Sequence, residues 1–149
     1  MIKTTVTPYG SEAGKKAEVE QMFDKIAPRY DLLNRLLSLG VDIRWRKQAI
    51  AYLAKGNPRQ ILDVATGTGD VAVLSAKILK PDSIIGIDIA NQMLEIGREK
   101  IREQGLSGVI SLETGDSEKL RFEDGSFDAV TVAFGVRNFE NLEKGLSEM

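Results

Sequence analysis

The sequence contains no cysteine and no histidine. Without cysteine there is neither a disulfide framework nor a thiolate metal site. Without histidine, the usual general base and the commonest metal ligand near neutral pH are both missing. No apolar run reaches the roughly 18 residues that a membrane-spanning helix requires. The N-terminal stretch MIKTTVTPYG also lacks the apolar centre of a signal peptide. Together these absences predict a cytoplasmic protein. Excess basic charge is missing too: 20 Lys and Arg stand against 22 Asp and Glu, a net charge of −2. That balance argues against a general nucleic-acid binder. No internal repeat or low-complexity tract is present. What remains is ordinary globular usage, 42% apolar and 28% charged over 149 residues. It predicts one domain or less, with a buried core.

The first 56 residues read as an arm followed by helices. Residues 1–14, with Pro8, Gly10 and Gly14, predict a mobile arm. A helix from about Lys15 carries Val19, Met22, Phe23 and Ile26 at i, i+3, i+4 and i+7, and Pro28 ends or bends it. A second piece carries Tyr30, Leu33, Leu36 and Leu37 and stops near Gly40. A third has Asp42 as its N-cap and Trp45, Ala49, Tyr52 and Leu53 on one face. Those apolar stripes predict core packing. The alternative is that part of them forms a lid over a substrate pocket.

From residue 57 the pattern alternates strand and helix, predicting an α/β fold with a parallel sheet. Strands are expected at Gln60–Ala65, Ser83–Asp88, Val109–Thr114 and Phe127–Ala133. Between them come a helix with Val71, Leu74 and Ile78 inward, and one capped by Asn91 with Leu94, Gly97 and Ile101 inward. A final helix carries Phe139, Leu142, Leu146 and Met149.

The most informative stretch is Gln60–Asp70, QILDVATGTGD. It reads as strand, glycine turn and helix start, and glycines suit a turn that needs unusual φ/ψ and close approach of backbone to a ligand. GTGDVA fits the dinucleotide fingerprint, with Asp88 an acid about 20 residues on. Asp70, however, occupies the helix start where a pyrophosphate would sit, so its carboxylate should repel phosphate and cap the same N–H groups. Asp63 adds a second acid just before the turn. A cationic, phosphate-free ligand fits better, and S-adenosylmethionine, with its sulfonium, ammonium and ribose, is such a ligand.

The acids recur at one end of the sheet. Asp63 and Asp70 flank the first turn, Asp88 ends the second strand and Asp116 follows the third. Ligands of open α/β sheets bind at the carboxyl ends of strands, so the turn, Asp88 and Asp116 should line one crevice. Asp88 is suited to accept from both ribose hydroxyls. Asp116 and Ser117 are placed for an adenine amino edge. Ala65, Gly67, Thr68, Gly69, Ile89, Met93 and Ala133 complete the expected donor site. Taken singly, each acid also reads as an ordinary helix cap or turn former.

The chain resembles the methyltransferases of menaquinone and ubiquinone biosynthesis, which methylate a ring carbon of polyprenylated quinols. The stretches that carry the likeness are MFDKIAPRYDLLNRLLSLGVDIRWR (Met22–Arg46), DVATGTGD (Asp63–Asp70), IDIANQMLEIGREK (Ile87–Lys100) and FGVRNFENLEKGLSEM (Phe134–Met149). The glycine turn is common to many class I methyltransferases, whereas Tyr30, Asp31, Asn34 and Trp45 with Gly135–Asn138 are narrower. Asp42 and Leu33 depart from the family's frequent histidine and methionine. The resemblance implies a Rossmann-like class I methyltransferase with an N-terminal helical extension, residues 1–56, and the N-terminal part of the sheet domain, residues 57–149.

For chemistry, methyl transfer to a quinol carbon needs an electron-rich ring held in line with the donor methyl, and positioning supplies much of the acceleration. Arg137 could favour the phenolate or orient a water, with Asn138 orienting the ring oxygen. Equally, Arg137 could pair with Glu140 and Asn138 cap the last helix. Tyr30 and Asp31 could close over the ring. No metal or redox cofactor is called for. An NAD(P)-dependent oxidoreductase and a non-catalytic binding module stand as alternatives. A polyprenyl substrate implies contact with a bilayer surface, with Leu32, Leu36, Leu39, Arg35 and Arg44 as candidates. A strand order beginning 3-2-1-4 leaves the fourth strand at an edge without protective lysine, proline or bulge. That edge predicts pairing with a second copy or aggregation, little turnover, and a polypeptide that continues past Met149.

Overall fold

The computed structural model describes residues 14–149. The predicted arm lies almost wholly outside them. Helix α1 (Lys15–Ile26) follows Gly14, which has φ 85°, and gives way at Pro28 to a 3-10 turn over Ala27–Arg29. Helix α2 (Tyr30–Ser38) ends where Leu39 and Gly40 both take left-handed backbone angles, and α3 (Val41–Leu53) follows at once. Asp42 is therefore not a cap. It lies inside α3, buried, accepts from the Ser38 hydroxyl at 2.7 Å and pairs with Arg46 at 3.3 Å.

Four parallel strands, β1 (Gln60–Val64), β2 (Ser83–Asp88), β3 (Ile110–Thr114) and β4 (Ala129–Val132), order as β3-β2-β1-β4. The order agrees with the 3-2-1-4 expectation. β4 is shorter than expected because Asp128 turns its carboxylate onto the backbone N–H groups of Arg59 and Gln60, at 2.8 and 2.7 Å. Phe127, just before it, packs edge-on against Phe122.

Side chains alternate across a strand, so the sheet has two dissimilar faces. On one, α4 (Asp70–Leu79) and α5 (Asn91–Glu103) cover Ile61, Ile84, Ile110 and Leu112. α5 buries Leu94, Gly97 and Ile101 as the spacing predicts. α4 does not follow its expected face: it buries Ala72, Val73 and Ala76, while Ile78 is exposed. Small side chains let a helix approach a sheet closely, and the larger ones then turn outward. On the other face, Leu62, Val64 and Ile87 pack with Phe139 from the segment leading to α6 (Leu142–Ser147). Leu142 and Leu146, two of the apolar residues of that last helix, are exposed. α6 is capped by Asn141, whose side chain accepts from the Lys144 N–H, and not by Asn138.

The helical extension packs through α1 on α5 and α3 on α4. Its stripes are not core, with the exception of Val19 and the Phe23–Tyr30 pair. Leu32, Leu36, Leu37, Leu39, Trp45 and Tyr52 are all exposed, Leu39 at 87% and Leu36 at 67%. No helix among the described residues is long and apolar enough to cross a membrane.

Candidate functional site

The β1 strand ends in a turn whose conformation only its sequence permits. Ala65, Gly67 and Gly69 all have positive φ, at 53°, 58° and 76°. Glycine accepts such angles without the Cβ penalty. Below the turn, Asp63 is buried and accepts from the hydroxyls of Thr66 and Thr131, both at 2.6 Å. Burial pushes its carboxyl up to about 6 against those two hydrogen bonds. Asp63 thus ties β1, the turn and β4 together from beneath, and it opens only onto a small recess shared with Thr68, Asp70 and Ala133.

Above the turn is a cleft of about 740 Å³, continuous with solvent, at the carboxyl ends of all four strands. β1 contributes Ala65 and Gly67, and β2 contributes Asp88 and Ile89, with Met93 from α5. Gly115 to Glu118 come from the end of β3, and the 3-10 turn Phe134–Asn138 follows β4. The cover is Lys16, Val19, Phe23 and Tyr30 from the helical extension. Of the expected donor residues, Ala65, Gly67, Asp88, Ile89, Met93, Asp116 and Ser117 meet here, as do Tyr30, Arg137 and Asn138. Asp63, Thr68 and Ala133 line the recess below instead. Gly69 is buried, with a Cβ there reaching Leu112 at 3.3 Å.

Asp88 is the fixed point of the cleft. One carboxylate oxygen accepts from the Gly67 N–H at 2.8 Å and the other from the Ala90 N–H at 2.9 Å. An ionised carboxylate offers about four acceptor sites, so capacity is left for a ligand hydroxyl. Burial pushes the carboxyl above its ordinary range, and the backbone N–H groups of Ala90, Gly67 and Ile89 oppose that rise. Asn91 does not cap α5: the Gln92 N–H in its first turn donates to Asp24 at 3.0 Å, while the Asn91 side chain accepts from the Thr114 hydroxyl. Asp116 accepts from Lys16 at 2.7 Å and from the Glu118 N–H at 2.9 Å. Burial works against its charge, but these partners hold the carboxyl below its usual value. Lys16 was missed in the sequence, where nothing in its spacing links it to a residue a hundred positions on.

Asp70 corrects the sequence reading most sharply. It makes no capping bond to the α4 N-terminus. It accepts instead from Lys100 at 2.6 Å and Arg46 at 2.7 Å. Lys100 also donates to Asp31 at 2.5 Å and to the Thr68 hydroxyl at 3.1 Å, and Thr68 in turn donates to Asp31 at 2.6 Å. Asp31 therefore belongs to this network and not to a lid over a ring. The network joins α2 and α3 to the glycine turn and α5. Since Asp70 is neutralised by cations, its charge is a weaker bar to phosphate than the sequence implied. The acids Asp88, Asp116, Glu118 and Glu140 against Lys16 and Arg137 make the cleft itself anionic.

A second cavity opens beside the first, sharing Tyr30, Phe134 and Arg137 with it. Its remaining walls are Asn34, Leu37 and Ser38 from α2 and Val41, Asp42, Trp45 and Arg46 from α3. Arg137 makes no ion pair among the described residues, so the expected alternative with Glu140 is not formed. Its guanidinium lies 5.9 Å from the centre of the Phe134 ring, at the boundary of the two cavities. Gly135 beside it abuts Ala65 so closely that a Cβ would overlap the alanine Cβ. That contact presses the 134–138 turn against the glycine turn.

Residues 11–149 match the ubiE/COQ5 methyltransferase family. A Bacteroides fragilis protein named demethylmenaquinone methyltransferase is 54% identical over 144 residues, covering 97% of this chain and 59% of that protein. A Geobacter sp. (strain M21) protein named ubiquinone/menaquinone biosynthesis C-methyltransferase UbiE is 49% identical over 140 residues, covering 93% of this chain and 59% of that one. The chain thus spans about 59% of the length of these curated relatives. Among solved structures, a putative S-adenosyl-L-methionine-dependent methyltransferase from Methanococcus maripaludis superposes with a TM-score of 0.66 at 21% identity, over 87% of this chain and 55% of that one. At that identity the likeness concerns the fold.

Proposed function

The chain belongs to the ubiE/COQ5 methyltransferase family, and from that premise we propose that its main cleft binds S-adenosylmethionine for C-methylation of a polyprenylated quinol, demethylmenaquinol to menaquinol being the reaction closest to its relatives' names. The observation that carries the reading is Asp88. Its carboxylate is locked by the glycine turn at the carboxyl end of β2, with acceptor capacity left for a ligand in an anionic cleft. That arrangement suits a ribose diol on a ligand bearing a sulfonium and an ammonium. Replacing Asp88 by alanine should weaken binding of the donor by roughly 1–3 kcal/mol, the worth of hydrogen bonds to a charged group. Calorimetry on wild type and Asp88→Ala checks this, and equal affinities would remove Asp88 from the role.

The residues present fit that donor. A Cβ on Gly67 would come within 3.3 Å of the Met93 methyl, closing the slot between turn and α5 that both line. Bound there, the donor supplies an electrophilic methyl group. The protein's part is to hold the acceptor ring in the neighbouring cavity. Leu37, Val41, Trp45 and Phe134 give it apolar walls, and Arg137 stands where the cavities meet. A guanidinium at that boundary stabilises a phenolate as charge builds on the ring. Asn138, with no hydrogen-bond partner among the described residues, is available to orient the ring oxygen.

Leu32 and Leu36 on α2, and Leu39 just past it, are exposed on the side of the helix away from that cavity, with Arg35 on the same helix and Arg44 on α3. Such a surface supports peripheral contact with an anionic bilayer, from which a polyprenyl tail can be drawn. Leu36→Glu should reduce co-flotation with anionic liposomes, and equal flotation of both proteins counts against the patch.

A further inference from the structure

We propose that Asn34 is a specificity-determining residue that recognises the ring oxygen farthest from the donor, so that the second cavity prefers 1,4-dioxygenated rings to rings with one hydroxyl. The inference rests on the reading of that cavity as the acceptor site. Tyr30, Asn34, Leu37 and Ser38 recur on α2 at i, i+4, i+7 and i+8 and line the cavity together. Tyr30 and Arg137 belong to both cavities, so they meet the oxygen beside the transferred methyl. Asn34 belongs to the second cavity alone.

Most other polar groups around it are engaged, although Arg46 Nε and one Asp42 carboxylate oxygen make no hydrogen bond among the described residues. Ser38 donates to Asp42, and the Gly40 N–H donates to Ser38. Arg46 is held by Asp70 and Asp42. Asn34 is half-buried, and its amide makes no hydrogen bond among the described residues. An amide both donates and accepts, so it can meet a hydroxyl or a phenolate oxygen. The spacing also fits. Cβ atoms four residues apart on a helix face lie about 5–6 Å from each other, and the two oxygens of a 1,4-dihydroxy ring span a similar distance. One turn of α2 therefore presents Tyr30 to one oxygen and Asn34 to the other.

The test is anaerobic titration with 1,4-dihydroxynaphthalene and with 1-naphthol, both in saturating S-adenosylhomocysteine. Wild type should bind the diol about 3- to 10-fold more tightly, the range for one hydrogen bond. Asn34→Leu, similar in volume, should bring the two affinities together. Asn34→Asp, which can still accept from a hydroxyl, should restore a preference for the diol. Unchanged affinity for S-adenosylhomocysteine in both variants shows that they fold. A wild-type preference retained in Asn34→Leu overturns the role of Asn34 and leaves the acceptor cavity standing. Failure of wild type to bind the diol overturns both.

Discussion

Gly67→Val abolishes donor binding, reducing affinity by more than about 100-fold, or ~2.7 kcal/mol. Two separate costs produce this effect. Gly67 has φ +58°, and a left-handed residue with a Cβ costs roughly 1–2 kcal/mol, more when the side chain is branched there. The new side chain would also crowd the cleft that Gly67 lines. A Cβ alone reaches the Met93 methyl at 3.3 Å, and the valine methyl groups must occupy the slot between them. Relaxing the backbone to escape either cost breaks the Gly67 N–H bond to Asp88, which unfixes the carboxylate on which ribose recognition rests. Calorimetric titration with S-adenosylmethionine measures it. Normal binding by the valine variant would place the ligand elsewhere.

Lys100→Met is expected to destabilise the fold by roughly 2–4 kcal/mol, below the full cost of breaking a buried ion pair because its partners are partly exposed. Among the described residues, Lys100 is the one cation that touches Asp31, Asp70 and Thr68 together, with its side chain 19% exposed. Methionine keeps the length and removes the charge. Asp31 is then left with Thr68 alone, while Arg46 still holds Asp70. The pH dependence follows from Asp70. Burial pushes its carboxyl up, but Lys100 and Arg46 outweigh burial and hold it below 3.8. A carboxylate with a depressed folded value stabilises the protein above 3.8, and that contribution is lost as pH falls through the folded value. The methionine variant should therefore lose part of the acid-limb dependence as well as stability near neutrality. Urea unfolding of both proteins between pH 3 and 7 checks this, and identical curves would mean the network carries no net stability.

The sheet was legible because its signals are local. Apolar runs bounded by Gly, Pro and Asp marked the strands. The regular placing of acids after them located one crevice, so Gly67, Asp88 and Asp116 could be grouped before any coordinates. What could not be read was how distant residues resolve each other's charges. Asp70 has the sequence position of a cap, yet Lys100 and Arg46, 30 and 24 residues away, draw its carboxylate off the helix end. The expected preference for a phosphate-free ligand stands better on the anionic cleft than on Asp70. Asp42 was misread in the same way, because Ser38 and Arg46 bind it from within the helix turn. Periodicity also reports that a helix has an apolar face but not whether anything covers it. Hence the stripes of α2 and α3 suggested core, and the structure leaves Leu36, Leu37 and Trp45 in solvent. In α4 apolar residues occur on more than one face, and the small Ala72 and Ala76 lie against the sheet with Val73.

The central claim is that the cleft between the glycine turn and Asp88 is a methyl-donor site and not a dinucleotide site. Calorimetric titration of the wild-type chain with S-adenosylmethionine, and in parallel with NAD⁺ and NADP⁺, tests it most directly. Saturable binding of S-adenosylmethionine, displaced by S-adenosylhomocysteine and accompanied by no binding of either dinucleotide, is the predicted result. Tight binding of a dinucleotide with none of the methyl donor would contradict the account.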